Sequence, residues 1–144
     1  MYGGAVAVTQ PLPSVDIQAA FEVPDPVARQ GLLTLRRLVF ETAADLPQVG
    51  VITETLRWGQ PSYITEQTKS GTPIRLGVPK AGGFALYVHC QSRVIPEFLE
   101  KYPAWDRVDG TRAVLFQTPS EIEPLRHGWL IERAFPSKLT RRQR

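Results

Sequence analysis

A chain of 144 residues is long enough for one domain with its own core and short for two. Hydrophobic residues at 42% and charged residues at 22% exclude wholesale disorder, and no apolar run is long enough to cross a bilayer. The net charge of +3 suggests a polyanion partner only until it is located. The last seven residues, KLTRRQR, hold Lys138, Arg141, Arg142 and Arg144 and no acid, which leaves −1 for residues 1–137. Nucleic-acid contact is therefore expected only through this basic tail, weak and without sequence preference. MYGGAVAVTQPLPSV lacks the cationic region of a secretory signal, and a lone cysteine makes no internal disulfide, so the expected location is cytoplasmic.

Residues 1–20, with Gly3, Gly4, Pro11 and Pro13 and no sustained period, read as a flexible leader to a domain over 21–137, with 138–144 as the tail. DPVARQGLLTLRRLVFETAADLP predicts a long helix. Asp25 is its N-cap, Pro26 its first residue and Pro47 its stop. Ala28, Leu32, Leu35, Val39 and Leu46 form its apolar stripe, with Arg29, Arg36, Arg37 and Asp45 off it. TETLRWGQPSYI reads as a helical turn, a break at Gly59 and a strand after Pro61.

TPIRLGVP alternates, with Ile74, Leu76 and Val78 on one face and Arg75 and Gly77 on the other. FALYVHC is a second strand, and the short turns between these segments require antiparallel pairing. SRVIPEFLEKYP predicts a helix capped by Ser92, with Ile95, Phe98, Leu99 and Tyr102 as its apolar face. Asp109-Gly110 marks a hairpin within DRVDGTRAVLF. A last helix lies within 120–135. Ser120 with Glu123 makes a capping box, whereas Pro124 suits a later start, and Ile122, Leu125 and Trp129 supply its apolar face. The expected fold is α+β: an antiparallel sheet of about five strands flanked by three main helices.

His89 and Cys90 are adjacent, which suggests a nucleophile or a metal site. Strand alternation argues otherwise. It groups Leu86, Val88 and Cys90 on the core face and Ala85, Tyr87 and His89 opposite, an alternation that a bulge near the strand end would break. Cys90 is then a buried, inert thiol. His127 lies in the last helix, and no spacing of His, Cys or carboxylates supports a zinc site, so no metal, cofactor or catalytic residue is assigned.

ETLRWGQPSY, SGTPIRLG, LYVHCQ, the Tyr102-Pro103 pair and GTRAVLF occur in that order and together resemble the YdhG-like family, a bacterial domain of unknown function. The resemblance covers roughly residues 26–135. It implies a compact α+β domain with an antiparallel sheet and no particular reaction. Some relatives carry a frataxin-like iron-chaperone label that rests on acidic surfaces. Here Glu41 and Asp45 are the only helical carboxylate pair, thin material for a hard cation.

Opposite the core, strand parity collects Tyr63, Arg75, Tyr87 and His89; with Arg112 and the turn residue Trp58 they make a candidate set suited to a planar or anionic ligand. The alternative is that Arg75 and Arg112 pair with Asp106 or Asp109, and that Trp58 and Tyr63 only pack. The expected function is a non-catalytic module that binds a small anionic ligand or a protein partner, with iron chaperoning as the alternative.

Overall fold

The computed structural model describes residues 11–142, with side chains through residue 139. Gly3 and Gly4 of the leader, and Gln143 and Arg144 of the tail, lie outside the described residues. The helices are α1 (Val15–Glu22), α2 (Pro26–Ala44), α3 (Val94–Lys101), α4 (Pro124–Ala134) and α5 (Ser137–Arg142). The strands are β1 (Thr53–Arg57), β2 (Gln60–Ile64), β3 (Ile74–Gly77), β4 (Phe84–Tyr87), β5 (Arg107–Asp109) and β6 (Ala113–Phe116). They form one antiparallel sheet in the order β1-β2-β3-β4-β6-β5. The α+β class and the antiparallel sheet stand, but the counts change: six strands, and four helices of seven residues or more.

The two added elements were hidden for physical reasons. α1 occupies part of the expected leader. Ser14 caps it by accepting from the Ile17 amide at 3.2 Å, and Ile17 and Phe21 are buried one turn apart. Only Ile17 and Phe21 of its eight residues are buried, too few to display a period. β1 replaces the expected helical turn because Glu54, a charged residue, occupies a core-facing position and breaks the apolar alternation.

Local chemistry explains the other boundaries. Asp25 accepts from the Ala28 amide at 2.9 Å, with Pro26 opening α2. α4 takes the later start: Glu123 caps it through the Leu125 and Arg126 amides, Pro124 follows, and Pro119–Glu121 form a separate 3-10 turn. Leu125 then points outward, 76% exposed, and leaves the apolar face. Val78 lies one residue beyond β3 and is likewise exposed. Ser92 does not cap α3; its hydroxyl donates to the His89 carbonyl.

All the larger helices serve one side of the sheet. Tyr63, Ile74, Leu76, Phe84, Leu86, Val114 and Phe116 share a single core with residues of α1 to α4. Gly31 in α2 is there for contact: a Cβ would run into the Phe84 ring, which stacks on Phe116 at 5.2 Å. Across the sheet, Ala85, Tyr87 and Ala113, with Leu115 against them, make a separate small cluster that contains no helical residue.

The basic tail is not detached at Lys138. α5 begins at Ser137, and the Lys138 and Leu139 amides both donate to the Ser70 carbonyl, at 2.7 and 3.3 Å.

One polar network lies inside the core. Arg36 of α2 donates to both oxygens of Glu54, at 2.7 and 2.8 Å, and the Tyr63 hydroxyl donates to the same carboxylate at 2.7 Å. Arg36 also donates to the Pro11 carbonyl. Arg36 is therefore buried, contrary to its placement off the stripe, and Tyr63 faces the core, contrary to its placement on the outer face. Burial and the adjacent Glu54 charge raise the Tyr63 hydroxyl pKa and keep it a donor. Burial works against the Arg36 charge, but its bonds and attraction to Glu54 outweigh that and raise its pKa. Removing Glu54 would take the carboxylate from a buried guanidinium, so Glu54→Ala should cost about 3–5 kcal/mol in urea unfolding. Tyr63→Phe should cost less, about 1.5–3 kcal/mol. A loss below about 1 kcal/mol for Glu54→Ala would place the pair with ordinary surface contacts.

Candidate functional site

The open side of the sheet is built by alternation. In β1, Glu54 and Leu56 face the core, so Thr53, Thr55 and Arg57 face outward. Register then lays a row across the sheet: Thr55 opposite Ser62, Ser62 opposite Arg75, Arg75 opposite Tyr87, Tyr87 opposite Ala113, and Ala113 opposite Asp109. A neighbouring row runs from Gly77 through Ala85 and Leu115 to Arg107. The alanines give Tyr87 a low floor on which its ring lies buried. Gly77 has a specific reason as well: a Cβ there would strike the Gln60 amide and crowd Tyr87.

Arg75 is at the centre. Its Nη1 donates to Gln60 Oε1 at 2.7 Å, and its guanidinium lies 5.2 Å from the Trp58 ring and 5.4 Å from the Tyr87 ring. Arg57 approaches Trp58 at 5.9 Å, and Arg112 approaches Tyr87 at 5.9 Å. Burial lowers the Arg75 pKa, and the like charges of Arg112 and Arg57 lower it further. Burial also raises the Tyr87 pKa. Among the described residues Arg75 has no ion pair, whereas Arg112 meets Asp109 at 3.2 Å in a pair more than half exposed. The Ser62 hydroxyl is buried in the same row with no hydrogen-bond partner among the described residues.

Four of the six residues assigned from sequence thus come together: Trp58, Arg75, Tyr87 and Arg112. Tyr63 is in the core. His89 lies past the end of β4, exposed, with Nδ1 accepting from the Gln91 amide. It lines a groove of about 460 Å³ with Arg93, Glu97, Arg133 and Lys138, and this groove contains none of the sheet-face arginines. The arginine face is separate from this groove, on the side of the sheet whose small cluster contains no helical residue. Arg57 and Gln60 join the face because Thr53–Arg57 form a strand where the sequence predicts a helical turn. A two-residue Trp-Gly turn flanked by Thr-Glu-Thr and Pro-Ser-Tyr was the available signal.

Cys90 also departs from its expected place. β4 stops at Tyr87; Val88 is still in the core, but residues 89–92 turn, and Cys90 is exposed. The alternation that would have buried it has ended by then.

His127 belongs to a different cluster. Its Nδ1 accepts from the Glu123 amide at 2.9 Å, so Nε2 carries the proton and donates to Asp106 Oδ1 at 2.9 Å. Arg126 Nε donates to Asp106 Oδ2 at 2.8 Å, and its guanidinium lies 5.1 Å from the Trp105 ring. Asp106 therefore pairs with α4, not with Arg75 or Arg112. The cluster ties the start of β5 to α4, and both imidazole nitrogens are engaged, which makes it structural.

Among the described residues no three or more His, Cys, Asp or Glu side chains gather to hold a metal ion, and Glu41 and Asp45 are exposed. No described helix is long and apolar enough to cross a membrane. No family model, curated protein or solved structure matches the chain.

Two outcomes follow from these placements. Cys90, the chain's one thiol, should react stoichiometrically with a thiol reagent in the native protein; labelling only after unfolding would contradict its exposure. Burial alone would raise the Asp106 pKa, but its bonds to His127 and Arg126 and their charges hold it below 3.8. A depressed carboxyl pKa stabilises the fold above the unfolded value and loses that contribution as pH falls through the folded value. Asp106→Asn should therefore be less stable at pH 7, and should lose less stability than the parent between pH 5 and about pH 2. Parallel acid limbs in the two proteins would contradict this.

Proposed function

We propose that the chain is a non-catalytic module that binds an anionic ligand, carried by a small molecule or a protein partner, on the open face of its sheet. The observation that carries this reading is Arg75. It is a half-buried cation between two aromatic rings, held by Gln60, repelled by two other guanidiniums, and without a carboxylate among the described residues. Such a charge is maintained against its own desolvation, and an anion would relieve both the desolvation and the repulsion. The rings of Trp58 and Tyr87 and the Gln60 amide restrict the guanidinium, so less freedom is lost when a ligand is bound. A non-catalytic role fits the chemistry of the face, where guanidiniums, aromatic rings and an amide bind well but offer neither nucleophile nor general base near neutral pH. The YdhG-like resemblance supports a domain of this shape and adds no reaction.

Inorganic phosphate and pyrophosphate are suitable probes in a thermal-shift titration. Both should raise the melting temperature of the parent protein, and Arg75→Ala should abolish the rise while melting within a few degrees of the parent without ligand, because no partner carboxylate is stranded. If Arg75→Ala alone costs about 3 kcal/mol or more, Arg75 is a structural ion and the reading fails. An unchanged response to phosphate in the variant would also defeat it.

A further inference from the structure

The arginine face has a second feature that a small-anion site does not need. Trp58 and Gly59 form the two-residue turn between β1 and β2, with φ of 54° and 76°. This is the left-handed region, which suits asparagine, aspartate or glycine and is a real outlier for a bulky side chain. Trp58 recovers none of that strain by burial, since 80% of it is exposed. A tryptophan kept out of the core on a strained hairpin tip, beside Arg57 and Arg75, presents a largely exposed ring where a ligand would reach it. The charge on this face is also sorted. Arg57, Arg75, Arg107 and Arg112 project from it, and Asp109 is the carboxylate in their rows. The cations extend from β1 at one edge to β5 at the other.

We propose that this face binds single-stranded nucleic acid, with a base stacked on Trp58 and successive phosphates running across the sheet over Arg75 and Arg112 toward Arg107. The inference rests on the anion-binding reading above and names its ligand. A strand that crosses the sheet can meet cations on several strands at once, which a single small anion at Arg75 does not. Guanidiniums spaced along an open sheet meet phosphates repeated along a strand, and an exposed ring accepts any base face. A duplex fits less well, because its bases are already stacked and unavailable to Trp58.

The test is fluorescence anisotropy of the full chain with labelled 12-nucleotide oligothymidylate and oligouridylate over a salt series, beside the matching duplex, polyglutamate and phosphatidylserine vesicles. Trp58→Ala should weaken single-strand binding by about 5- to 150-fold, the range for losing one stacked base. Arg75→Ala should weaken it and make the slope of log K against log salt shallower by about 0.7, one phosphate contact. Each variant should keep its melting temperature within a few degrees of the parent, and a full-length chain with Arg141, Arg142 and Arg144 changed to glutamine should keep most of the binding. Loss of binding in that tail variant, with Trp58→Ala unaffected, would overturn the proposal. Equal affinity for the duplex, for polyglutamate or for the vesicles would overturn it too. If phosphate binds at Arg75 but the oligonucleotides bind no tighter than a mononucleotide, the nucleic-acid inference falls and the anion module stands. If neither phosphate nor oligonucleotide binds, both fall.

Discussion

The ion pair between Arg36 and Glu54, joined by the Tyr63 hydroxyl, fixes which way β1 and β2 face. A strand that slips by one residue exchanges its two faces. In β1 such a slip would carry Glu54 away from Arg36 and turn Arg57 into the core, leaving two charges buried without partners. Tyr63, opposite Glu54 in β2, binds the same carboxylate, so the network holds two neighbouring strands and α2 in one register. β2 passes that register to β3 through Ser62 and Arg75, and β3 passes it to β4 through Arg75 and Tyr87. The chemistry of the outer face is thus set by a contact on the inner one. A buried ion pair adds little net stability compared with apolar packing, but a wrong register would break it at high cost.

The elements legible in the sequence were those with a strong local signal. α2 shows a cap, an N1 proline and a long stripe, and β3, β4 and the second hairpin show alternation or Asp-Gly. The failures share a cause, which is that a charged or short segment was decided by tertiary contact. Arg36 reads as a surface residue until Glu54 is placed beneath it, and Glu54 reads as helical until Arg36 is known. Each conceals the other. Cys90 was misplaced because alternation was extended three residues past Tyr87, where the chain turns to start α3. Parity places Arg75 and Tyr87 on the outer face, while the side that Tyr63 takes depends on the pairing of β2 with β1.

Net charge also misled in an instructive way. A body at −1 suggests no electrostatic preference, yet the total says nothing about arrangement. Much of the acid is used locally: Asp25 and Glu123 cap helices, Glu54 and Asp106 neutralise buried cations, and Glu97 meets Arg133. On the outer face Arg112 meets Asp109 in an exposed pair, and among the described residues Arg75 has no ion pair. Sorting of this kind follows from the fold, because only the helical side contains helix ends and buried cations for carboxylates to serve.

Gly77, Ala85 and Ala113 complete the division between the two faces. Larger residues there would lift Tyr87 and Gln60 off the sheet, and Arg75 would lose both the ring beneath it and the amide that orients it. Small residues in a strand cost propensity and add little packing, so their concentration on the uncovered face does not serve the core. They make a shallow floor on which the Tyr87 ring lies buried, with Arg75 5.4 Å from it. The helical side supplies the stability that such a floor lacks, through Phe84, Phe116 and the close approach at Gly31. With stability concentrated on one face, the other is free to hold an exposed tryptophan beside Arg57 and Arg75.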